Sequence, residues 1–113
     1  MNPLELAREY MNLVFTTCEL DHLRNILAEE LSFIGPYFTY NKAEDYIDSL
    51  KADPPEAFKH EMIKAYEDST SACLVYRFWK PGIHTIMTQI FEAQNDKITR
   101  ILLVFDTGAF RQK

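Results

Sequence analysis

The run SACLVYRFWK (71–80), Pro81-Gly82, HTIMTQIFEA (84–93), the polar Gln94–Lys97 and ITRILLVFDT (98–107) decides the fold of this chain. Each long segment is rich in β-branched, aromatic and aliphatic side chains and is bounded by turn-forming residues. The run therefore reads as three strands joined by hairpins. From Ile101 to Phe105 the last strand is apolar at every position, which calls for cover on both faces.

Upstream of this sheet the period changes. Asn2-Pro3 followed by Glu5 is a helix start: Asn2 caps, Pro3 suits the first helical position, and Glu5 closes a capping box. Leu4, Ala7, Met11, Val14, Phe15 and Cys18 then recur at threes and fours, predicting an amphipathic helix of about four turns. Leu20, Leu23, Ile26 and Leu27 predict a second, shorter helix. Leu31–Ile34 reads as a brief strand closed by Gly35-Pro36, and Tyr37–Tyr40 as irregular and aromatic. Asn41 with Glu44 marks a third helix, with Ala43, Tyr46, Ile47 and Leu50 on its buried face and Pro54-Pro55 as its stop. From Ala57 to Glu67 alternation takes over, with Phe58, His60, Met62 and Tyr66 on one parity. Helices first and hairpins afterwards is the α+β arrangement, helices packed on one face of an antiparallel sheet.

At 113 residues the chain fits one domain, 1–113, and its 47% hydrophobic content suits a single core. The first segment, MNPLELAREY, lacks the uninterrupted apolar core of a signal peptide, and no run is long enough to span a bilayer. A soluble, cytoplasmic protein without a membrane partner is expected. Net charge −5 argues against nucleic acid, whose affinity rests on clustered Lys and Arg. The charge is uneven: residues 1–56 hold 4 bases and 11 acids, net −7, and residues 57–113 hold 8 bases and 6 acids, net +2. An acidic helical half thus accompanies a mildly basic sheet half. Cys18 and Cys73 lack a CxxC or metal-type spacing and read as buried free thiols. Three scattered histidines without HxH or HxxxH spacing indicate no metal site, and three glycines without a phosphate-cradling loop indicate no nucleotide, so no cofactor is expected.

The order of these elements resembles a known architecture. A capped first helix, the run LRNILAEELSFIGP (23–36), a small third helix and long hairpins ending NDKITRILLVFD (95–106) resemble the nuclear transport factor 2-like superfamily, and within it the SnoaL-like and ketosteroid isomerase group. The resemblance implies a cystatin-like roll: a cone-shaped, curved, mixed but mainly antiparallel sheet wrapped around N-terminal helices, with a pocket between the first helix and the concave face. Many members are dimers, and their activities range from isomerases and cyclases to non-enzymatic binding domains. Ketosteroid isomerase uses a first-helix tyrosine and a protonated late-strand aspartic acid as an oxyanion hole, with an aspartate base before the proline that ends the short strand. Matching on Pro36, with one extra residue between the first two helices, places Tyr10 at the tyrosine and Gly35 at the base; matching the last hairpin on Ile98 places Met87 at the late acid with one extra turn residue, or Thr88 without it. Neither acid is present, so steroid isomerisation by that route is not expected.

Carried over in the same way, the pocket takes Tyr10, Val14, Phe33, Gly35, Met62, Arg77, Met87, Gln89, Ile101 and Phe105. Thr85, Met87, Gln89 and Phe91 face inward with Thr99, Ile101, Leu103 and Phe105, whereas Ile86, Ile90, Leu102 and Val104 point outward. On the first hairpin strand Cys73, Val75, Arg77 and Trp79 are placed inside and Leu74, Tyr76 and Phe78 outside. Arg77, within a strand pattern, must reach water or meet an anion such as a ligand carboxylate. Tyr10 and His60 are the candidate catalytic residues; each also has a structural role open to it, Tyr10 as a helix anchor and His60 as a hydrogen-bonded core residue. The implied function is binding of a small apolar molecule, with cofactor-free isomerase, cyclase or hydrolase chemistry as an extension. The alternative is a non-catalytic interaction module whose cone is closed by Phe15, Phe33, Met62, Met87, Phe91 and Phe105. In either case the apolar outer sheet face predicts a homodimer.

Overall fold

A computed structural model of the chain describes residues 1–55 and 58–110; Ala57, where the predicted alternation begins, lies outside them. The elements are α1 (Pro3–Met11), β1 (Leu27–Ile34), β2 (Thr39–Tyr40), α2 (Ala43–Ala52), β3 (Lys59–Glu67), β4 (Ser71–Lys80), β5 (Ile83–Gln94) and β6 (Lys97–Phe105), closed by a 3₁₀ turn at Thr107–Phe110. The α+β class holds. One curved, unclosed sheet runs in the order β2-β1-β6-β5-β4-β3, with β1 parallel to β6 and every other pair antiparallel.

α1 starts as its sequence dictates. The Asn2 side chain accepts from the Glu5 N–H at 2.8 Å, and the Asn2 N–H donates to the Glu5 carboxylate at 2.9 Å. The helix then widens into a π turn over Asn12–Thr16 and ends where Cys18 turns left-handed, φ 53°. The second helix expected over Leu20–Leu27 is replaced by a 3₁₀ segment, Leu20–Asn25, and β1 begins at Leu27. Parallel pairing with β6, Leu27 opposite Ile98 and Phe33 opposite Ile101, overrides the local helical spacing. Arg24 ties the 3₁₀ segment to α2 by donating to Glu44 at 2.5 and 2.8 Å and to Asp21 at 2.8 Å. Lys51 also pairs with Asp21, and together Lys51 and Arg24 hold that carboxyl down to about 2. Both cysteines are free but only half-buried.

Two turns set the sheet's register. Pro81-Gly82, with Gly82 at φ 81°, pairs Lys80 with Ile83. Asn95 and Asp96, both left-handed at φ 53° and 62°, make the primed turn that suits a two-residue hairpin and pair Gln94 with Lys97. Tyr76 therefore lies opposite Met87 and Phe78 opposite Thr85. This corrects the phase expected for β4: Ala72, Leu74, Tyr76 and Phe78 are buried, and Cys73, Val75, Arg77 and Trp79 share the outer face. On β5, and on β6 from Ile101 onward, the expected phase holds, with Met87, Gln89, Phe91 and Ile101 buried and Ile86 and Val104 exposed; Thr99, expected inward, falls at the register shift opposite Glu92 and Ala93, and Ile98 is buried there instead. A bulge between Met62 and Lys64 in β3 shifts the parity, so that Tyr66 pairs with Cys73 on the outer side and is exposed.

The core forms where α1 crosses the concave face. Leu6, Ala7, Tyr10 and Met11 join Leu74, Phe91 and Ile101 in one buried cluster. Among the described residues no helix is long and apolar enough to cross a membrane. Ile101 is 0% exposed at the centre of this contact. Ile101→Ala is expected to cost about 2–5 kcal/mol through lost burial and the cavity it leaves, read as a lowered urea midpoint with an unchanged slope.

Candidate functional site

The side chains of α1, α2 and the concave sheet do not fill the cone. A cavity of about 550 Å³ remains, within the range of small-molecule sites. Its walls are mostly aromatic, among them Phe15, Phe33, Phe78 and Phe105, with Leu103 and Met87 between them. The helical repeat of α2 turns Tyr46, Ser49 and Leu50 toward it, spaced i, i+3 and i+4, and Asp53 follows just past the helix end. The alternation of β4 presents Tyr76, Phe78 and Lys80.

A buried hydrogen-bond chain forms the floor. The Tyr76 hydroxyl donates to Gln89 Oε1 at 2.7 Å, Gln89 Nε2 donates to the Tyr10 hydroxyl at 3.3 Å, and the Tyr10 and Tyr46 hydroxyls are hydrogen-bonded to each other. Phe33 stacks on Tyr46 with centroids 4.4 Å apart, and Phe91 meets Tyr10 edge-on at 5.1 Å. Three bonds join three hydroxyls and one amide. Since Tyr10 and Tyr46 share a single hydrogen between them, one hydroxyl proton of that pair is left over, together with the second N–H of Gln89. The floor thus offers donors to the cavity.

Burial keeps these phenols neutral. It raises Tyr10 above its ordinary value of 10.0, outweighing the hydrogen bonds from Tyr46 and Gln89 that act the other way. It raises Tyr46 and Tyr76 well above that value, with the nearby Tyr10 adding to both. They act as hydrogen-bond donors across the physiological range.

Of the residues singled out from sequence, Tyr10, Val14, Phe33, Gly35, Met87, Gln89 and Phe105 line the cavity. Three do not. Arg77 is on the outer face, 3.7 Å from Glu61, because the β4–β5 register turns it there. Ile101 is buried beneath the wall, and Met62 packs at the edge of the core. His60 is separated from the cavity by Phe15, whose ring lies 5.1 Å from the imidazole. Its partial burial lowers its pKa, and it faces a shallow depression with Trp79 and Pro81. Tyr10 and His60 are therefore not brought together. At Gly35 a Cβ would stand 3.2 Å from the Phe33 ring, leaving little room for a longer side chain. Sequence reasoning missed Tyr46, Tyr76, Phe78, Asp53 and Lys80. Tyr46 was legible only as a buried-face residue, since its partner is 36 positions away. Among the described residues no three His, Cys, Asp or Glu side chains gather as a metal site would require.

No protein-family model and no curated protein matches the sequence. Solved structures do. A nuclear transport factor 2-like protein of unknown function from Cytophaga hutchinsonii is similar with a TM-score of 0.83 at 20% identity, over 95% of this chain and 92% of that one. An LEH-like epoxide hydrolase from M. tuberculosis gives 0.79 at 12% identity, over 95% and 84%. A SnoaL-like family protein from Agrobacterium tumefaciens gives 0.73 at 12%, over 92% and 97%.

The neutral phenols set an alkaline limit. Their folded pKa values lie above the unfolded value near 10, so their contribution to stability is complete below pH 10 and is lost as the pH rises through the folded values. Above about pH 10, unfolding free energy is expected to fall by about 1.4 kcal/mol per pH unit for each phenol still protonated in the fold. Urea titrations across that range measure the slope, and Tyr76→Phe should remove one such increment.

Proposed function

Because the chain has the nuclear transport factor 2-like fold, with a cone left open between α1, α2 and the sheet, we propose that it binds a small, largely apolar molecule there. A ligand oxygen accepts the spare hydroxyl hydrogen of the Tyr10–Tyr46 pair. The buried chain Tyr46, Tyr10, Gln89, Tyr76 carries this reading: four polar side chains from four elements meet at the floor of an otherwise aromatic cavity and keep a donor to spare. A polar group held among apolar walls orients a ligand by leaving it only one well-paired pose.

Binding is favoured over proton transfer. Among the described residues, the charged side chains of the cavity wall are Asp53 and Lys80. The family's acid positions hold Gly35 and Met87. The Tyr10–Tyr46 pair can polarise a carbonyl, but among the described residues no carboxylate is hydrogen-bonded to it to take a proton.

The outer face supports a second copy of the chain as partner. Tyr66, Ile86 and Val104 are 58%, 49% and 50% exposed, and half-buried Val75, Ile90 and Leu102 join them into an apolar surface across β3 to β6. The β6 part of this face, exposed at Val104 and half-buried at Leu102, is not fully covered by the described residues.

Two measurements test these readings. For 2-acetylnaphthalene, a flat ketone, calorimetry should show an affinity about tenfold weaker in the Tyr10→Phe/Tyr46→Phe double variant, while 2-ethylnaphthalene, of the same shape without oxygen, is unaffected. Equal losses for both compounds would refute the hydroxyl contact. Light scattering at micromolar concentration should give a dimer that Val104→Glu converts to a folded monomer; a monomeric parent chain would rule out the outer face as a self-interface.

A further inference from the structure

The cavity is polar at both ends, and each end asks for the same kind of ligand atom. Along β4 the wall runs from Tyr76 at the floor through Phe78 to Lys80, four residues or about 13 Å of strand. Along α2 it runs from Tyr46 to Leu50, about 6 Å along the helix axis, with Asp53 just past the helix end. Both walls therefore carry a charged residue beyond their tyrosine, Lys80 on one and Asp53 on the other.

The two charges are not equivalent. Lys80 is half-buried, and its ammonium lies 5.4 Å from the centroid of the Phe58 ring and 5.3 Å from that of Phe110, both of which line the cavity. Asp53 is exposed just past the end of α2. Among the described residues neither has an ion-pair partner within 4.0 Å, so they do not neutralise each other. A cation partly stripped of water between two rings gains more from an incoming anion than a solvated carboxylate gains from a cation. At the other end, the groups left over are also donors: one hydroxyl hydrogen and one amide N–H.

We propose that the cavity selects a flat aromatic or conjugated carboxylate carrying an oxygen at its far end, the oxygen on the Tyr10–Tyr46 pair, the rings against the aromatic walls and the carboxylate on Lys80. This rests on the preceding reading of the tyrosine pair and adds the second pole. Lys80 acts as a specificity residue, and Asp53, also in the cavity wall, disfavours anions that do not reach Lys80.

The test compares 6-acetyl-2-naphthoate with its methyl ester by calorimetry at neutral pH. The acid should bind about tenfold more tightly than the ester, since one charge-assisted contact separates them. Lys80→Met should remove that advantage while leaving the ester's affinity unchanged, which also shows that the variant is folded. Asp53→Asn should leave the acid as tight or make it tighter, and added salt should shrink the difference between acid and ester. An acid no tighter than its ester, a Lys80→Met loss shared equally by both, or loss of acid binding in Asp53→Asn would each overturn the proposal. If the ester binds and depends on the tyrosine pair while the acid gains nothing, only the carboxylate pole fails. If neither compound binds, the reading of the cavity fails with it.

Discussion

A buried hydroxyl or amide without a partner is costly, and three phenols and a glutamine meet at the bottom of this cone. Each comes from a different element: Tyr10 from α1, Tyr46 from α2, Tyr76 from β4 and Gln89 from β5. Their mutual satisfaction constrains all four elements together, because moving one would orphan the polar atoms of another. No buried side-chain nitrogen or oxygen among the described residues lacks a partner. Such a network specifies a geometry more than it adds net stability, which suits the floor of a cavity better than the middle of a core.

The sheet supports that arrangement through its turns. Pro81-Gly82 and Asn95-Asp96 are two-residue connections, and a two-residue connection leaves no freedom in register. Once Lys80 faces Ile83, Tyr76 must face Met87, and every residue of β4 is assigned a side. The same register that brings Tyr76 and Gln89 within hydrogen-bond reach lays Phe78 and Lys80 along the wall above them. It also sends Arg77 and Trp79 to the outer surface.

The legible part of the fold was the part governed by local chemistry. The capping box of α1, the proline stop after α2 and the paired hairpins follow from residues within a few positions of one another. Two misplacements have tertiary causes. Leu20 to Leu27 has helical spacing, yet Leu27 enters a strand because β6 supplies a parallel partner. Tyr66 belongs by alternation with Phe58, His60 and Met62, yet one extra residue in the bulge sends it outward. The inner phase of β4 was in principle readable from the two-residue turn; family spacing, which differs at that hairpin, pointed the other way.

The candidate site divides along the same line. By itself the sequence determined that Tyr10 flanks the apolar stripe of the first helix, that Met87 and Gln89 share one parity of their strand, and that Gly35 and Met87 bring no acid. These are statements about period and residue type, which short-range geometry enforces. Only the tertiary structure decided that Tyr46 meets Tyr10, that Tyr76 and not Arg77 looks inward, and that Lys80 closes the mouth against two rings. Those outcomes depend on the register between strands and on how a helix lands across them, and no neighbouring residues in the chain encode either one.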